Sequence, residues 1–447
     1  MNCLNKSWGH VHFLCKIWWF KIRVISCGLF IILLRHLPKF RGNKRALISS
    51  LYDIEARDRE IDKSGEIATV GIGYHHVEKL IELVDLGSNY DVRLVGISGM
   101  GGVGKTALAE DVFKKISHLF DPAYFISTPT TAQDYPPSQS ILKEACLQIA
   151  LPKEFQPSYL KSPRLQRMLV VFDDVEYSKH FNGGWIRRLF GGGSRIIMTS
   201  RDEGLLRHPG VDEIHEVELL NQNEALQLFC KIVFKSDKPM TGYEGLTLEA
   251  LKYADGLPLA IKSVGSSLVD LSVSEWKSVL TKLQTVPDPS VLAVLKKSFD
   301  GLTDWQKNAF LDIACCFAGQ KIDHIKGILF CRYVFSSFRD MIIESLIEKS
   351  VMSISSQRIK IHPILQQLAK VIVLDESPEP GQRSRIWNYE DFCYIMETNT
   401  GTDCVEVIVL SNDEEHPQGT TLNIEGLSKL TRLRILIFHN VKFSGNL

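Results

Sequence analysis

The sequence predicts a parallel α/β domain at residues 68–220, followed by an all-α subdomain at 221–319 and a smaller subdomain of helices and short strands at 320–395. Short apolar runs alternate with helical patterns in the first segment, which is typical of right-handed crossovers in a parallel sheet. From about Asn223 the strand signal disappears and apolar residues recur with a helical period. A glycine-rich stretch follows the first complete strand pattern, at the edge where such sheets bind ligands.

Five apolar runs are the predicted strands of the α/β domain. They occupy residues 92–97, 123–126, 168–172, 195–198 and 213–220. Each run has the length of a strand, and the helical patterns between the runs supply the crossovers. The carboxyl ends of these strands are therefore expected at one edge of the sheet.

A glycine-rich loop follows the first of these strands and fits the pattern G-x-x-x-x-G-K-[ST]. In this pattern backbone N–H groups surround phosphates and the lysine, here Lys105, reaches the terminal ones. Glycine lets the backbone turn tightly and approach a ligand closely, and the helix that begins near Lys105 directs its positive end at the anion. The predicted nucleoside phosphate contacts are Gly99, Gly101, Gly102, Val103, Gly104, Lys105, Thr106 and Ala107.

Two other predicted strands end in charged residues. The third run leads into Asp173 and Asp174, and the fourth leads to Arg201. Because a loop Ser or Thr and an acid on a neighbouring strand hold Mg²⁺ in such sites, Thr106 and Asp173 are the predicted ligands. Asp174 is expected either to orient or deprotonate a water or to cap the next helix. Arg201 is expected either to bind a γ-phosphate or to form a surface ion pair with Asp202.

The rest of the chain is predicted to be mainly helical. Helical patterns cover residues 224–234, 248–268, 275–283, 291–299 and 305–317. A helix, two short strands and another helix follow over residues 341–374, which is the outline of a winged helix, although any small α+β subdomain would match it. Leucines recur every third residue from Leu427 to Leu436, so residues 396–447 are predicted to be a linker and a first leucine-rich repeat.

The composition limits the class of protein. The chain has 447 residues, of which 45% are hydrophobic and 23% charged, an ordinary soluble composition. Residues 1–52 hold nine Lys or Arg and no acid, so the rest of this neutral chain is acidic, which argues against an obligate nucleic acid partner. The ten cysteines show no C-x-x-C spacing, which favours reduced thiols in the cytoplasm or nucleus over disulfides or zinc.

Residues 1–67 are predicted to be a basic, partly apolar extension. Its apolar run at 24–34 has 11 residues, whereas a bilayer span needs about 20. Three interpretations stay open: a segment that contacts a membrane surface, a weak signal anchor, or a stretch with no useful fold.

Five motifs, in this order, resemble the NB-ARC module of plant intracellular immune receptors. They are GMGGVGKT (99–106), LVVFDD (169–174), GSRIIMTSRD (193–202), GLPLA (256–260) and FLDIACCFAG (310–319). The last motif, Glu176 and the stretch GQRSRIW at 381–387 resemble the branch of these receptors that carries an N-terminal TIR domain. The resemblance covers about residues 68–395.

The resemblance implies a P-loop domain, a helical subdomain and a winged-helix subdomain that close around ADP and open on exchange for ATP, with Mg²⁺ as cofactor. It implies that Lys105 holds phosphates, that Arg201 senses the γ-phosphate and that Pro258 packs against the nucleotide. It also implies slow ATP hydrolysis and signalling through protein partners or self-association. The segment implied to lie beside the adenine is Val70, Gly71 and Ile72.

Three features depart from the family pattern. His362 and Pro363 stand where the family has the last two residues of an M-H-D triplet. The resemblance implies that His362 contacts the β-phosphate of ADP, whereas the plain alternative is an ordinary helix start with proline in the first turn. The segment 129–167 is shorter than usual in the family. The residues before 68 show no α/β pattern of a TIR domain, so no NAD-cleaving activity is expected.

The leading hypothesis is therefore a nucleotide-dependent switch in plant defence signalling. An ATPase motor is the alternative, and it would differ by fast turnover. A transcription regulator that binds DNA through the winged helix is a third hypothesis, but the winged-helix stretch is only weakly basic.

Overall fold

The computed structural model describes residues 74–88, 90–127, 167–175, 187–188, 190–207, 210–330, 332–333, 335–411 and 424–439, all of which fall in the unit Ile67–Leu447. The predictions for residues 1–67, for the adenine segment at 70–72, for most of the segment 129–167 and for Glu176 lie outside these ranges. Among the helices of the described ranges, none is both long and apolar enough to cross a bilayer.

A sheet of five parallel strands forms the first domain. The strands are β1 (Arg93–Ser98), β2 (Ala123–Ser127), β3 (Leu169–Asp173), β4 (Arg195–Thr199) and β5 (Glu213–Glu216), in the spatial order β2-β3-β4-β1-β5. β3 and β4 are buried along their whole length, as expected of central strands covered on both faces. The predicted parallel sheet is confirmed, although β5 ends at Glu216 rather than at residue 220.

Helices cover the sheet and fix the glycine-rich loop between β1 and the next helix. They are α1 (Tyr74–Val84), α2 (Lys105–Ile116) and the short α3 (Glu203–Arg207). Leu108, Val112 and Ile116 of α2 recur at a helical period and are buried in the core beneath the sheet. This packing holds the first turn of α2 against the carboxyl edge of the sheet.

Five helices form the second subdomain. They are α4 (Gln222–Val233), α5 (Glu244–Ala254), α6 (Pro258–Leu268), α7 (Val273–Thr285) and α8 (Pro289–Asp300). The single helix predicted over residues 248–268 is wrong. Asp255 and Gly256 have φ angles of 43° and 77°, which ends α5, and Pro258 begins α6 as a residue suited to a first helical turn.

The third subdomain confirms the predicted order of helix, two strands and helix. It begins at Asp304 rather than at the predicted residue 320, because residues 304–317 pack on the helices at 336–348 and 363–374. Its elements are α9 (Asp304–Asp312), continued by a π-helical turn (Ile313–Phe317), then α10 (Ile322–Phe330), α11 (Ser336–Glu348), β6 (Ser353–Ser355), β7 (Arg358–Lys360) and α12 (Pro363–Leu374). β6 and β7 are antiparallel, and Ser356 and Gln357 between them have φ angles of 52° and 62°. Two such residues are typical of a tight hairpin turn.

A second parallel sheet ends the described chain. It contains β8 (Arg385–Ile386), β9 (Val407–Ser411) and β10 (Ile435–His439) in the order β10-β9-β8, with α13 (Tyr389–Thr398) beside it. Leu430 is buried, whereas Leu436 is 41% exposed because it follows the inward-facing Ile435 in a strand. The leucine-rich repeat stays a prediction.

Candidate phosphate-binding site

The loop between β1 and α2 turns at the carboxyl edge of the sheet. Gly104, the residue before α2, has a φ angle of 107°, which residues with a Cβ atom rarely adopt. Gly102 has a φ angle of 81°, and a Cβ atom there would lie 2.7 Å from the Cβ atom of Leu259 in α6. The loop therefore needs glycine for its turn and for its close contact with the helical subdomain.

The ammonium group of Lys105 lies inside this loop. Its Nζ atom donates to the carbonyl oxygens of Gly99 at 2.7 Å and Met100 at 2.9 Å, and the residue is only 7% exposed. Burial, followed by the nearby charge of Arg201, lowers the pKa of Lys105 to about 7. An anion bound in the loop would therefore stabilise the charged form of this buried lysine.

The residues predicted to hold magnesium lie side by side. The Thr106 hydroxyl donates to the two carboxylate oxygens of Asp173 at 2.9 Å and 3.0 Å. The Thr199 hydroxyl donates to the same carboxylate at 2.6 Å, which orients it. A hydroxyl and a carboxylate are the hard oxygen donors that Mg²⁺ prefers in P-loop sites. The residues at this position therefore fit that ion.

Asp174 follows β3 in an unusual conformation. Its φ angle of 54° is uncommon for a residue other than glycine, although Asp tolerates it better than most. Its backbone N–H donates to the Thr199 hydroxyl at 2.8 Å, and its carboxylate lies 3.4 Å from Nε of Arg201. The alternative role as a helix cap depends on residues after 175, outside the described ranges.

Arg201 lies between the loop, the acidic end of β3 and α8. Besides Asp174, it contacts α8 through a hydrogen bond from Nη1 to the carbonyl oxygen of Val294 at 3.0 Å. The same Nη1 atom is 3.7 Å from the point where a Cβ atom of Gly101 would stand. The predicted ion pair with Asp202 is wrong, because the Asp202 carboxylate pairs with a lysine of the winged-helix subdomain.

Pro258 is the buried first residue of α6, and α6 begins directly on the loop. The next backbone N–H, that of Leu259, donates to the carbonyl oxygen of Gly102 at 3.2 Å. The helical subdomain thus contacts the glycine-rich loop through its backbone at the GLPLA motif.

His362 lies against the turn that precedes Pro258. Its Nδ1 atom accepts from the backbone N–H of Ile364 at 3.2 Å, so Nε2 carries the proton and lies 3.3 Å from the carbonyl oxygen of Asp255. Burial lowers the pKa of His362, with the charge of Asp255 acting in the opposite direction. His362 is therefore a neutral helix cap that also contacts the helical subdomain, and Pro363 beside it is exposed.

Two groups of α8 at this edge were missed from the sequence. One is the Val294 carbonyl that accepts from Arg201. The other is the hydroxyl of Ser298, whose Oγ atom is buried with no hydrogen-bond partner in the described part of the chain and lies 3.5 Å from the Cβ position of Gly101. Both lie in a stretch that showed only amphipathic periodicity, and no local signal could have identified them.

The structure therefore brings most of the predicted site residues to one edge of the sheet. The glycine-rich loop, Asp173, Asp174 and Arg201 lie together, α6 with Pro258 borders the loop, and His362 lies behind the turn before Pro258. The adenine segment at 70–72 is outside the described residues.

Comparison with known families gives two matches. A model described as NB-ARC domain matches residues 74–239, and a model described as Disease resistance protein Roq1-like, winged-helix domain matches residues 304–377. The first match contains the glycine-rich loop, Asp173 and Arg201, and the second contains His362.

Similar curated proteins include the TMV resistance protein N of Nicotiana glutinosa, with 33% identity over 374 residues. Disease resistance protein RUN1 of Vitis rotundifolia is 32% identical over 375 residues, and disease resistance protein RPP2B of Arabidopsis thaliana is 33% identical over 374. These alignments cover 80%, 81% and 81% of this chain but 32%, 28% and 30% of the relatives. The chain thus spans about a third of their length.

Proposed function

Because this chain carries an NB-ARC domain and a Roq1-like winged-helix domain of plant disease resistance proteins, we propose that it is an ADP- and ATP-binding switch in plant immune signalling. Bound ADP holds the subdomains closed, and exchange for ATP opens them. The observation that carries this proposal is the enclosure of the glycine-rich loop by the helical subdomain. Leu259 donates to the loop at Gly102, and Arg201 beside the loop donates to Val294.

The phosphates lie along the loop in this proposal. The backbone N–H groups from Gly101 to Ala107 surround them, and Lys105 reaches the terminal ones. Arg201 binds the γ-phosphate of ATP, for which its planar guanidinium is suited. Pro258 packs against the nucleotide, and the segment 70–72 lies beside the adenine.

Thr106 and Asp173 would hold Mg²⁺, which would neutralise charge on the terminal phosphates. Asp174, with its carboxylate beside Arg201, orients the water that attacks the γ-phosphate. We expect slow hydrolysis that resets the switch, because a signalling state must last long enough to be read.

His362 connects the winged-helix subdomain to ADP. Its Nε2–H lies at a long 3.3 Å from the Asp255 carbonyl, so it can leave this acceptor for a β-phosphate at small cost. A charged phosphate oxygen is a stronger hydrogen-bond acceptor than the neutral carbonyl oxygen of Asp255. The Nε2–H group of the histidine would then bind the diphosphate, while its Nδ1 atom continues to cap α12.

We propose that the switch acts in the cytoplasm or nucleus and signals through protein partners or self-association. The low reactivity of two neighbouring cysteines supports such a compartment. Cys315 and Cys316 are free thiols, and burial raises the pKa of Cys315 to about 12 and that of Cys316 well above its ordinary value. Both thiols are therefore protonated and unreactive, as core residues of a reducing compartment are.

Nucleotide retention tests the proposal. Wild-type protein is expected to retain ADP through purification, and Lys105→Met is expected to lose it, because a charge-assisted contact of about 1.5 to 3 kcal/mol, tenfold or more in affinity, disappears. Lys114→Met, on the exposed face of α2, is the matched control. Equal ADP in the Lys105 and Lys114 variants, measured by chromatography of the denatured protein, would show that the loop does not bind the nucleotide.

Turnover separates the switch from a motor. Steady-state ATP hydrolysis by wild type is expected to be far slower than the median enzyme rate of about 10 per second. A rate near that median would favour the motor.

A further inference from the structure

An ion pair joins the first domain to the winged-helix subdomain beside the proposed γ-phosphate sensor. Nζ of Lys349 donates to Oδ2 of Asp202 at 2.7 Å, and Asp202 is the next residue after Arg201. Their side chains are 25% and 19% exposed, so the pair is only partly shielded from water.

Both members of the pair stand at helix ends that suit their charge. Asp202 precedes α3, and its Oδ1 atom accepts from the backbone N–H of Leu205 at 3.3 Å. Lys349 follows α11 as its last-turn cap. A carboxylate is favoured at the positive end of a helix and an ammonium at the negative end. Each charged side chain is therefore stabilised by a helix end of its own subdomain, whether or not the ion pair is formed.

The surfaces around the pair do not form an apolar core. A cleft of about 570 Å³ separates them, lined on one side by Asp202, Gly204, Leu205 and Arg207 and on the other by Gln306, Ser345, Glu348 and Lys349. Gly204 permits a close approach of the two surfaces, since a Cβ atom there would lie 2.9 Å from Oε2 of Glu348. The cleft leaves these two surfaces partly open to water beside the ion pair.

The segment that carries the pair is tied to the site. The Ser200 hydroxyl donates to the Val175 carbonyl at 2.7 Å and accepts from the backbone N–H of Asp202 at 3.1 Å. Residues 200–202 are thus held together at the end of β4. Arg201 within this segment contacts α8 of the helical subdomain. The next residue, Asp202, contacts Lys349 of the winged-helix subdomain.

We propose that the ion pair between Asp202 and Lys349 is a catch that holds the winged-helix subdomain closed, and that Arg201 releases it on binding a terminal phosphate. This proposal rests on the nucleotide switch proposed above. When Arg201 leaves the Val294 carbonyl for the phosphate, the segment that it shares with Asp202 shifts and the carboxylate separates from Lys349. With ADP the segment stays in place and the catch stays closed.

The test compares release of fluorescent ADP from wild type, Lys349→Met and Lys326→Met. Lys326 is the matched control, because it pairs with Asp340 at 2.8 Å within the winged-helix subdomain. Lys349→Met is expected to release ADP about two- to fivefold faster, the range for a partly exposed ion pair, and Lys326→Met to match wild type. Asp202→Asn keeps the cap on α3 and is expected to act like Lys349→Met. The double variant is expected to be no faster than either one.

Release of a non-hydrolysable ATP analogue shows whether the pair is coupled to the nucleotide. Because the catch is already open with a γ-phosphate bound, Lys349→Met is expected to leave this rate unchanged. Equal ADP release from the Lys349 and Lys326 variants, or equal acceleration for both nucleotides, would overturn the catch. If wild-type protein retains no ADP, the proposed nucleotide switch itself is contradicted. That result is obtained before any variant is compared.

Discussion

The winged-helix subdomain has two charged interfaces that differ in burial. On the side of the first domain, Lys349 and Asp202 are partly exposed beside an open cleft. On the side of the C-terminal sheet, the Asp312 side chain is fully buried and lies 2.8 Å from guanidinium nitrogens of both Arg385 and Arg434. We call the partly exposed contact of Lys349 with Asp202 the wet interface. We call the buried contact of Asp312 with Arg385 and Arg434 the dry interface.

A second acid takes part in the dry interface. Glu406, just before β9, accepts from Arg332 and lies 3.4 Å from Arg432 and 3.2 Å from Arg434. Arg434 therefore contacts both Asp312 and Glu406, which links α9, the start of β9 and β10 in one network.

This difference in burial indicates which of the two interfaces opens at lower cost. Breaking a partly exposed pair costs at most about 1 kcal/mol, whereas removing one partner of a buried pair costs about 3 to 5 kcal/mol. We therefore expect the contact with the first domain to open more easily than the contact with the C-terminal sheet.

The largest expected effect would break the dry interface. Asp312→Ala leaves two arginines without their shared buried acceptor, and we expect a loss of about 3 to 5 kcal/mol in the free energy of unfolding. Urea denaturation measures it. Asp300→Ala is the control, since its pair with Lys296 is exposed on α8 and contributes about 0.3 to 0.5 kcal/mol. Similar losses in the two variants would contradict the distinction between the interfaces.

The next effect concerns the sensor on the wet side. Arg201→Ala is expected to weaken ATP binding by about tenfold or more, because a charge-assisted contact with the γ-phosphate is lost, and to weaken ADP binding less. Arg207→Ala, which removes an exposed ion pair with Glu203 within α3, serves as control. Titration calorimetry with both nucleotides measures the change. An equal loss for ATP and ADP would mean that Arg201 does not read the γ-phosphate.

Acid should loosen the contact between His362 and the helical subdomain in the protein without nucleotide. Burial beside the Asp255 carbonyl lowers the pKa of His362, whereas an exposed histidine in an open form titrates near its ordinary value of about 6.5. The open form therefore takes up the proton first, and this contact is lost as the pH falls below about 6.5. The equilibrium between the closed and open forms is expected to shift by at most about tenfold per pH unit there.

In His362→Gln the acid-dependent part of this shift should disappear, while the equilibrium at pH 7.5 changes less. Small-angle X-ray scattering of the nucleotide-free protein between pH 7.5 and 5.5 measures both. The same acid dependence in wild type and variant would assign the effect to other groups.

The smallest effect is expected at Pro363. Pro363→Asp restores the carboxylate of the family triplet at the first position of α12, where it interacts with the helix dipole. Because Pro363 is exposed, we expect only about twofold slower ADP exchange than in wild type. Equal off-rates would show that position 363 does not govern closure, and faster exchange in Pro363→Asp would reverse the argument.

Local patterns predicted the first domain well. β1 to β4 are short apolar runs, and the glycine-rich loop, Asp173 and Arg201 follow strand ends that a parallel sheet must bring together. The break between α5 and α6 was missed because the apolar period continues across it. It depends on positive φ angles at Asp255 and Gly256, which Asp and Gly permit but do not require.

Contacts between subdomains could not be predicted from sequence. Lys349 and Ser298 are ordinary residues of amphipathic helices, and only the tertiary arrangement places them beside Asp202 and Gly101. Asp312 gave a partial signal, since an acid within an apolar helix needs a cation when buried. The sequence contains many arginines, and only the folded structure shows that Arg385 and Arg434 are the partners of Asp312.

The burial of Lys105 makes nucleotide binding a proton-linked event. With a pKa of about 7 inside the loop, a large fraction of the lysine is neutral in the slightly alkaline range, and an incoming phosphate raises this pKa again. Binding therefore draws protons from the buffer, and nucleotide affinity declines as the medium becomes more alkaline above pH 7. Measured heats of binding would then depend on the ionisation enthalpy of the buffer, and the occupancy of the loop would follow the alkalinity of its surroundings.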